Sequence, residues 1–97
     1  MTVQPHLSRD AFPQRRIETR TRKYRGNLFV ANAEQAFELD ELGEFVFRLI
    51  DGRTSVREIG RKLAERYGGP IEEAVADTAA LIEELVEHQV LQLRSDS

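Results

Sequence analysis

The chain contains no cysteine and no tryptophan, has only two histidines, and offers no apolar run near the ~20 residues that cross a bilayer. Each absence removes a class of protein. Without cysteine there are no disulfides, no thiolate nucleophile and no thiolate-ligated zinc or iron–sulfur centre, which suits a reducing compartment. His6 and His88 lack a second histidine at metal-binding spacing, so neither a metal nor another cofactor is expected. No G-x-G-x-x-G or Walker loop is present, and Gly68-Gly69 is too short to cradle phosphates. Neither histidine stands in a pattern that pairs a base with a nucleophile, so the chain does not read as an enzyme. Met1-Thr2-Val3-Gln4-Pro5-His6 has no signal-peptide core, and a soluble cytoplasmic protein without membrane contact is the expectation.

What is present is charge, unevenly placed. The 97 residues carry a formal net charge of −3. Residues 1–25 sum to +5, with Arg9, Arg15, Arg16, Arg20, Arg22, Lys23 and Arg25 against Asp10 and Glu18; the remainder sums to −8. A chain of this length makes one small domain that buries only roughly 60 to 65% of its unfolded surface. Residues 1–14, with Pro5 and Pro13 and no apolar period, read as an arm that stays flexible unless it docks, and 15–94 as the folded domain.

Within that domain the apolar period changes from two to 3.6. Ile17, Thr19 and Thr21 alternate with charged residues as on a half-buried strand ending at Tyr24, and Leu28-Phe29-Val30-Ala31 follows the Arg25-Gly26-Asn27 turn as a short buried strand. After Asn32-Ala33-Glu34, the segment Gln35 to Leu39 puts Phe37 and Leu39 on one face and Ala36 and Glu38 on the other. Asp40 is suited to cap a helix whose stripe is Leu42, Phe45, Val46, Leu49 and Ile50, with Phe47 opposite, and Gly52 supplies a left-handed stop. Phe47 packs on the arm or the third helix, or serves a dimer or partner-enzyme contact. Ser55 and Glu58 have capping-box spacing before a second helix that buries Val56, Ile59, Leu63, Ala64 and Tyr67. Gly68-Gly69-Pro70 breaks the chain before a third helix, about 71–88, whose inner arc is Ile71, Val75, Thr78, Ala79, Ile82, Leu85 and Val86. Leu81 lies at the edge of that arc, flanked by Ala74, Asp77 and His88, with Glu84 slightly further round. Val90-Leu91-Gln92-Leu93 should fold back on the core. A three-stranded antiparallel sheet followed by three helices makes an α+β, winged-helix-like domain.

Leu39-Asp40-Glu41-Leu42-Gly43, the Asp51-Gly52-Arg53-Thr54 turn, Leu63-Ala64-Glu65-Arg66-Tyr67 and the closing acidic helix resemble the PqqD family of peptide-recognition modules, over about residues 27–93. The resemblance implies a domain that captures the leader of a ribosomally made precursor peptide and presents it to a modifying enzyme. In pathways of this kind, which include pyrroloquinoline quinone assembly, that partner is a radical S-adenosylmethionine protein or a leader protease. It further implies strand addition along Gln35, Ala36, Phe37, Glu38 and Leu39, beside the helix carrying Ala74, Asp77, Leu81, Glu84, Leu85 and His88. Leu81 and Leu85 would seat apolar leader side chains, and Asp77 and Glu84 would favour a basic or amide group. One departure stands out: Gln89 occupies the place where the family usually has a glycine before its last apolar pair.

Two other classes compete. A winged-helix DNA-binding protein would need a basic recognition helix, yet the third helix carries Glu72, Glu73, Asp77, Glu83, Glu84 and Glu87 and no lysine or arginine. An unpaired strand edge also pairs with its own copy, which keeps a homodimer or scaffold compatible with the sequence.

Overall fold

The computed structural model describes residues 7–94. In chain order the elements are β1 (Phe12–Arg15), β2 (Arg20–Tyr24), β3 (Asn27–Ala31), β4 (Ala36–Leu39), α1 (Glu41–Arg48), α2 (Val56–Tyr67), α3 (Ile71–Glu87) and β5 (Leu91–Arg94). Strands β2, β3 and β4 form an antiparallel sheet in that order, and β1 pairs with β5 as a separate two-stranded ribbon. The architecture is α+β, with the expected sheet and three helices.

Local chemistry sets the helix starts. The Asp40 carboxylate accepts from the Gly43 amide at 2.8 Å, and the Ser55 hydroxyl accepts from the Glu58 amide at 3.1 Å, each satisfying a donor that the first turn leaves free. Only half of the capping box forms at Ser55, because the Glu58 side chain turns to Arg61. Pro70 sits at the N-cap of α3, one place earlier than the first helical turn. Gln89 closes α3 with φ 65, the left-handed conformation for which glycine is the usual residue, so the chain turns there in spite of its side chain.

The core is built from Val30 of β3, Val46, Phe47 and Ile50 of the α1 region, Val56 and Ile59 of α2, Ile82 and Leu85 of α3, and Val90 and Leu91 at β5. Helices α2 and α3 pack closely because Gly60 has no side chain: a Cβ there would lie 2.5 Å from the Val75 Cα.

The N-terminal segment differs from the expected arm. Its residues 1–6 lie outside the described residues, but the boundary drawn after residue 14 falls inside β1. Pro13 is fully buried, Phe12 pairs with Arg94, and Arg15 pairs with Leu91. The carbonyls of Arg9, Ala11 and Pro13 accept from the amides of Arg57, Val56 and Gly52. The apolar tail therefore packs back as a paired strand, and β1 is held on both edges.

Three further expectations shift. The first strand of the sheet starts at Arg20, three residues later than Ile17, because residues 16–19 turn (Thr19 amide to Arg16 carbonyl, 2.9 Å) and leave Ile17 fully exposed. In α1 the buried face is Gly43, Val46 and Phe47, while Leu42 is 46% exposed. Phe47 packs towards β1: the Arg15 guanidinium lies 4.3 Å from its ring centroid and also donates to its carbonyl. Burial and the Arg48 charge lower the Arg15 pKa. Tyr67 and Ile71, expected inside, are 39% and 52% exposed at the α2–α3 turn.

Several surface carboxylates titrate below their usual range. Lys23 and Arg48 hold Glu44 down through hydrogen bonds, Arg61 does the same to Glu58, and the Arg53 and Thr54 amides lower Asp51. Groups with depressed folded values stabilise the fold above their unfolded pKa of about 4 and lose that contribution as pH falls through the folded values. Thermal melts are expected to give a Tm that is flat from neutral pH down to about 5 and that drops below about 4.

Candidate functional site

The site is built outward from β4. An Asn32 turn sets its start: the Asn32 Oδ1 accepts from the amides of Glu34 and Gln35, and its Nδ2 donates to the His88 carbonyl at 2.9 Å, fastening the β3–β4 turn to the end of α3. The Asn32 amide bonds the Gln35 carbonyl at 3.0 Å, which fixes the phase of the β3–β4 ladder. In an antiparallel pair the bonded and non-bonded positions alternate, so the backbone groups of Ala36 and Glu38 face away from β3. Strand β4 is an outer strand of its sheet. Those groups form a row with no strand beyond it in the sheet, the kind of edge to which an extended segment can add.

Beside this edge runs a track between β4 and α3, the two running antiparallel. At one end Gln35 and His88 meet in a cavity of about 230 Å³ that also includes Glu18, Asn32, Glu34 and Glu87. Phe37 packs on His88 with the two rings tilted by 44° and their centroids 4.9 Å apart. At the other end a groove of about 450 Å³ is lined by Leu39, Leu42, Val46, Leu63 and Leu81, with Thr78 in its wall and Glu38, Asp40 and Asp77 at its margins. Its interior is apolar and its border anionic.

The structure brings Gln35, Phe37 and His88 together, and separately Glu38, Leu39, Asp77 and Leu81. It does not bring the remaining expected residues into either cavity. Leu85 is 2% exposed and Ala74 8%, so both belong to the core; Leu85 cannot seat a ligand from solvent. Ala36 contributes its side chain to the opposite face of the sheet, beside Tyr24 and Phe29. Glu84 is exposed and lines neither cavity. Sequence reasoning missed Leu42, Val46 and Leu63, which reach the groove from α1 and α2. No local signal marks them, since Leu42 reaches the groove only because α1 turns Gly43, Val46 and Phe47 inward.

Comparison with known proteins bears on the family and the fold. Residues 27–91 match the family model described as Coenzyme PQQ synthesis protein D (PqqD). Over 58 residues the chain is 40% identical to a PqqA binding protein of Gluconobacter oxydans (strain 621H), covering 60% of each chain, so the match spans less than two thirds of that relative. A PqqA binding protein of Rhizobium meliloti (strain 1021) is 25% identical over 69 residues, 71% of this chain and 70% of the relative. The fold superposes with TM-score 0.71 and 26% identity on the solution NMR structure of the PqqD truncation of Methylobacterium extorquens PqqCD, covering 89% of this chain and 99% of that one. That truncation is described as a functional, stand-alone recognition element for ribosomally synthesised and post-translationally modified peptides.

Proposed function

Because the chain belongs to the PqqD family, we propose that it binds the leader segment of a ribosomally made, PqqA-type precursor peptide and holds it for a modifying enzyme. The leader adds as a strand to β4 and lays alternate side chains into the groove against α3. Main-chain hydrogen bonds to Ala36 and Glu38 supply affinity with little dependence on sequence, and the groove selects the side chains. The observation that carries this reading is the coincidence of an open strand edge with an apolar groove that reaches it at Glu38 and Leu39. The domain acts by binding, and its partner enzyme supplies the chemistry.

Amide hydrogen exchange with a synthetic leader peptide of a PqqA-type precursor tests the mode of binding. The Ala36 and Glu38 amides are expected to slow at least about ten-fold on saturation, because each acquires an acceptor while the amides of β2 are unaffected. Binding without protection at these two positions defeats strand addition on β4.

A DNA-binding role has little to recommend it in this geometry. Helix α3 presents Glu72, Glu73, Asp77, Glu83, Glu84 and Glu87 to solvent, a face that a polyanion repels.

A further inference from the structure

Thr78 is the only buried polar side chain among the described residues, at 1% exposure. Its hydroxyl is also the only buried side-chain nitrogen or oxygen among them with no hydrogen-bond partner. Most buried polar groups are paired, so an orphan needs a reason. A valine would fill the same space without the cost of desolvating a hydroxyl. Thr78 is moreover not in the middle of the core: it forms part of the wall of the groove, between Leu39, Leu42, Val46, Leu63 and Leu81.

We propose that the Thr78 hydroxyl is a specificity determinant, which pairs with an uncharged, donor-bearing side chain of the bound peptide, an amide or a hydroxyl on a short apolar stem. The proposal rests on the peptide-binding reading above. Three features define the chemistry. The apolar walls select a stem of carbon. The carboxylates of Glu38, Asp40 and Asp77 at the margin disfavour a second negative group. An ammonium would lose its hydration inside the groove without a buried counter-charge, which leaves the neutral donors. The hydroxyl has no accessible surface in the free protein, so its partner reaches it only as an overlying side chain changes rotamer. Leu81, half-buried one turn further along α3 and lining the same groove, is placed to make that movement.

The test is fluorescence anisotropy with a labelled leader peptide of a PqqA-type precursor, titrated against the unaltered chain, Thr78→Val and Thr78→Ser, and repeated with an alanine scan of the peptide. Thr78→Val is expected to melt at or above the unaltered chain yet bind about three- to ten-fold more weakly, the worth of one neutral hydrogen bond. Thr78→Ser is expected to keep its affinity within about two-fold, since the donor and acceptor remain. One peptide position bearing an amide or hydroxyl should lose its alanine effect in the Thr78→Val background, a coupling that a merely structural role would not produce. Equal binding by Thr78→Val overturns this inference and leaves peptide binding standing. Coupling to a lysine or carboxylate position overturns the assigned chemistry. Equal weakening by both variants with no coupled position assigns Thr78 to packing and overturns the inference as well. If the unaltered chain does not bind the peptide, the underlying function fails first and this inference goes with it.

Discussion

Gly60→Ala is expected to destabilise the domain more than any other single-methyl change described above. Two effects oppose each other. Alanine gains about 1 kcal/mol over glycine inside a helix. Against this, the new Cβ would lie 2.5 Å from the Val75 Cα, 2.7 Å from its Cγ2 and 2.9 Å from its backbone nitrogen. Backbone atoms cannot swing aside, so α2 and α3 must separate along their whole contact, and overpacking of this kind costs roughly 1–3 kcal/mol or more. With backbone atoms at 2.5 and 2.9 Å the cost lies at or above the top of that range, about 3 kcal/mol, so the clash wins, with a net loss of about 2 kcal/mol and a fall in Tm of about 8–16 °C in a domain of this size. Differential scanning calorimetry reads it directly. Adding Val75→Ala should rescue little, because the closest atom is Cα and not the valine methyl. A Gly60→Ala chain as stable as the original would mean that the two helices are not as close as 2.5 Å implies.

Leu81→Lys carries the second large effect, on binding and not on folding. Leu81 is half-buried, so its loss from the core is partial, and a lysine at this place lies one turn from Asp77 and Glu84, within reach of helical ion pairs. The fold should remain. The groove, however, loses an apolar wall and gains a charge where a buried aliphatic contact contributes about 1.5–3 kcal/mol. Affinity for the leader peptide is expected to fall by about ten-fold or more, with Tm changed by only a few degrees. Isothermal calorimetry beside a melt separates the two outcomes. Undiminished affinity in a folded Leu81→Lys chain would place the peptide elsewhere.

Much of the fold could be read from local chemistry. Asp40 and Ser55 cap as their side chains dictate, and the 3.6 period located α2 and α3 because one face of each is continuously apolar. The ribbon of β1 and β5 was not legible. Its partners are separated by most of the chain, a proline in a strand argues against the assignment, and nothing local signals a pairing closed by long-range contacts. In β2 the alternation of β-branched residues suggested one buried face, but all five residues of the strand are exposed, because the helix packed on β3 and β4 leaves both faces of β2 in solvent. In α1 the eight-residue helix is so short that its orientation is decided by what packs on it, and the β1 segment recruits Phe47 inward.

The candidate site divides in the same way. Leu39, Asp77 and Leu81 could be placed together because helix and strand faces follow from periodicity, and the resemblance supplied which strand lies beside which helix. Ala74 was misplaced by a small angle, since at 100° per residue an edge position and a core position differ by less than one side chain's width; Leu85 was placed on the inner arc by periodicity, where it lies, and only the groove expected from the resemblance drew it into the site. The contribution of Leu42, Val46 and Leu63 depends on how three helices converge, which no single segment encodes.

The pairing of Phe12 with Arg94 has a mechanical corollary. Since β1 and β5 run antiparallel with their outward-leading ends side by side, tension applied through the flanking chain opens the ribbon like a zipper, one rung after another, instead of shearing all rungs together. Tension arriving from the N-terminal side meets the Ala11 and Arg9 bonds to Val56 and Arg57 before it meets that first rung, so those two bonds part ahead of the ribbon.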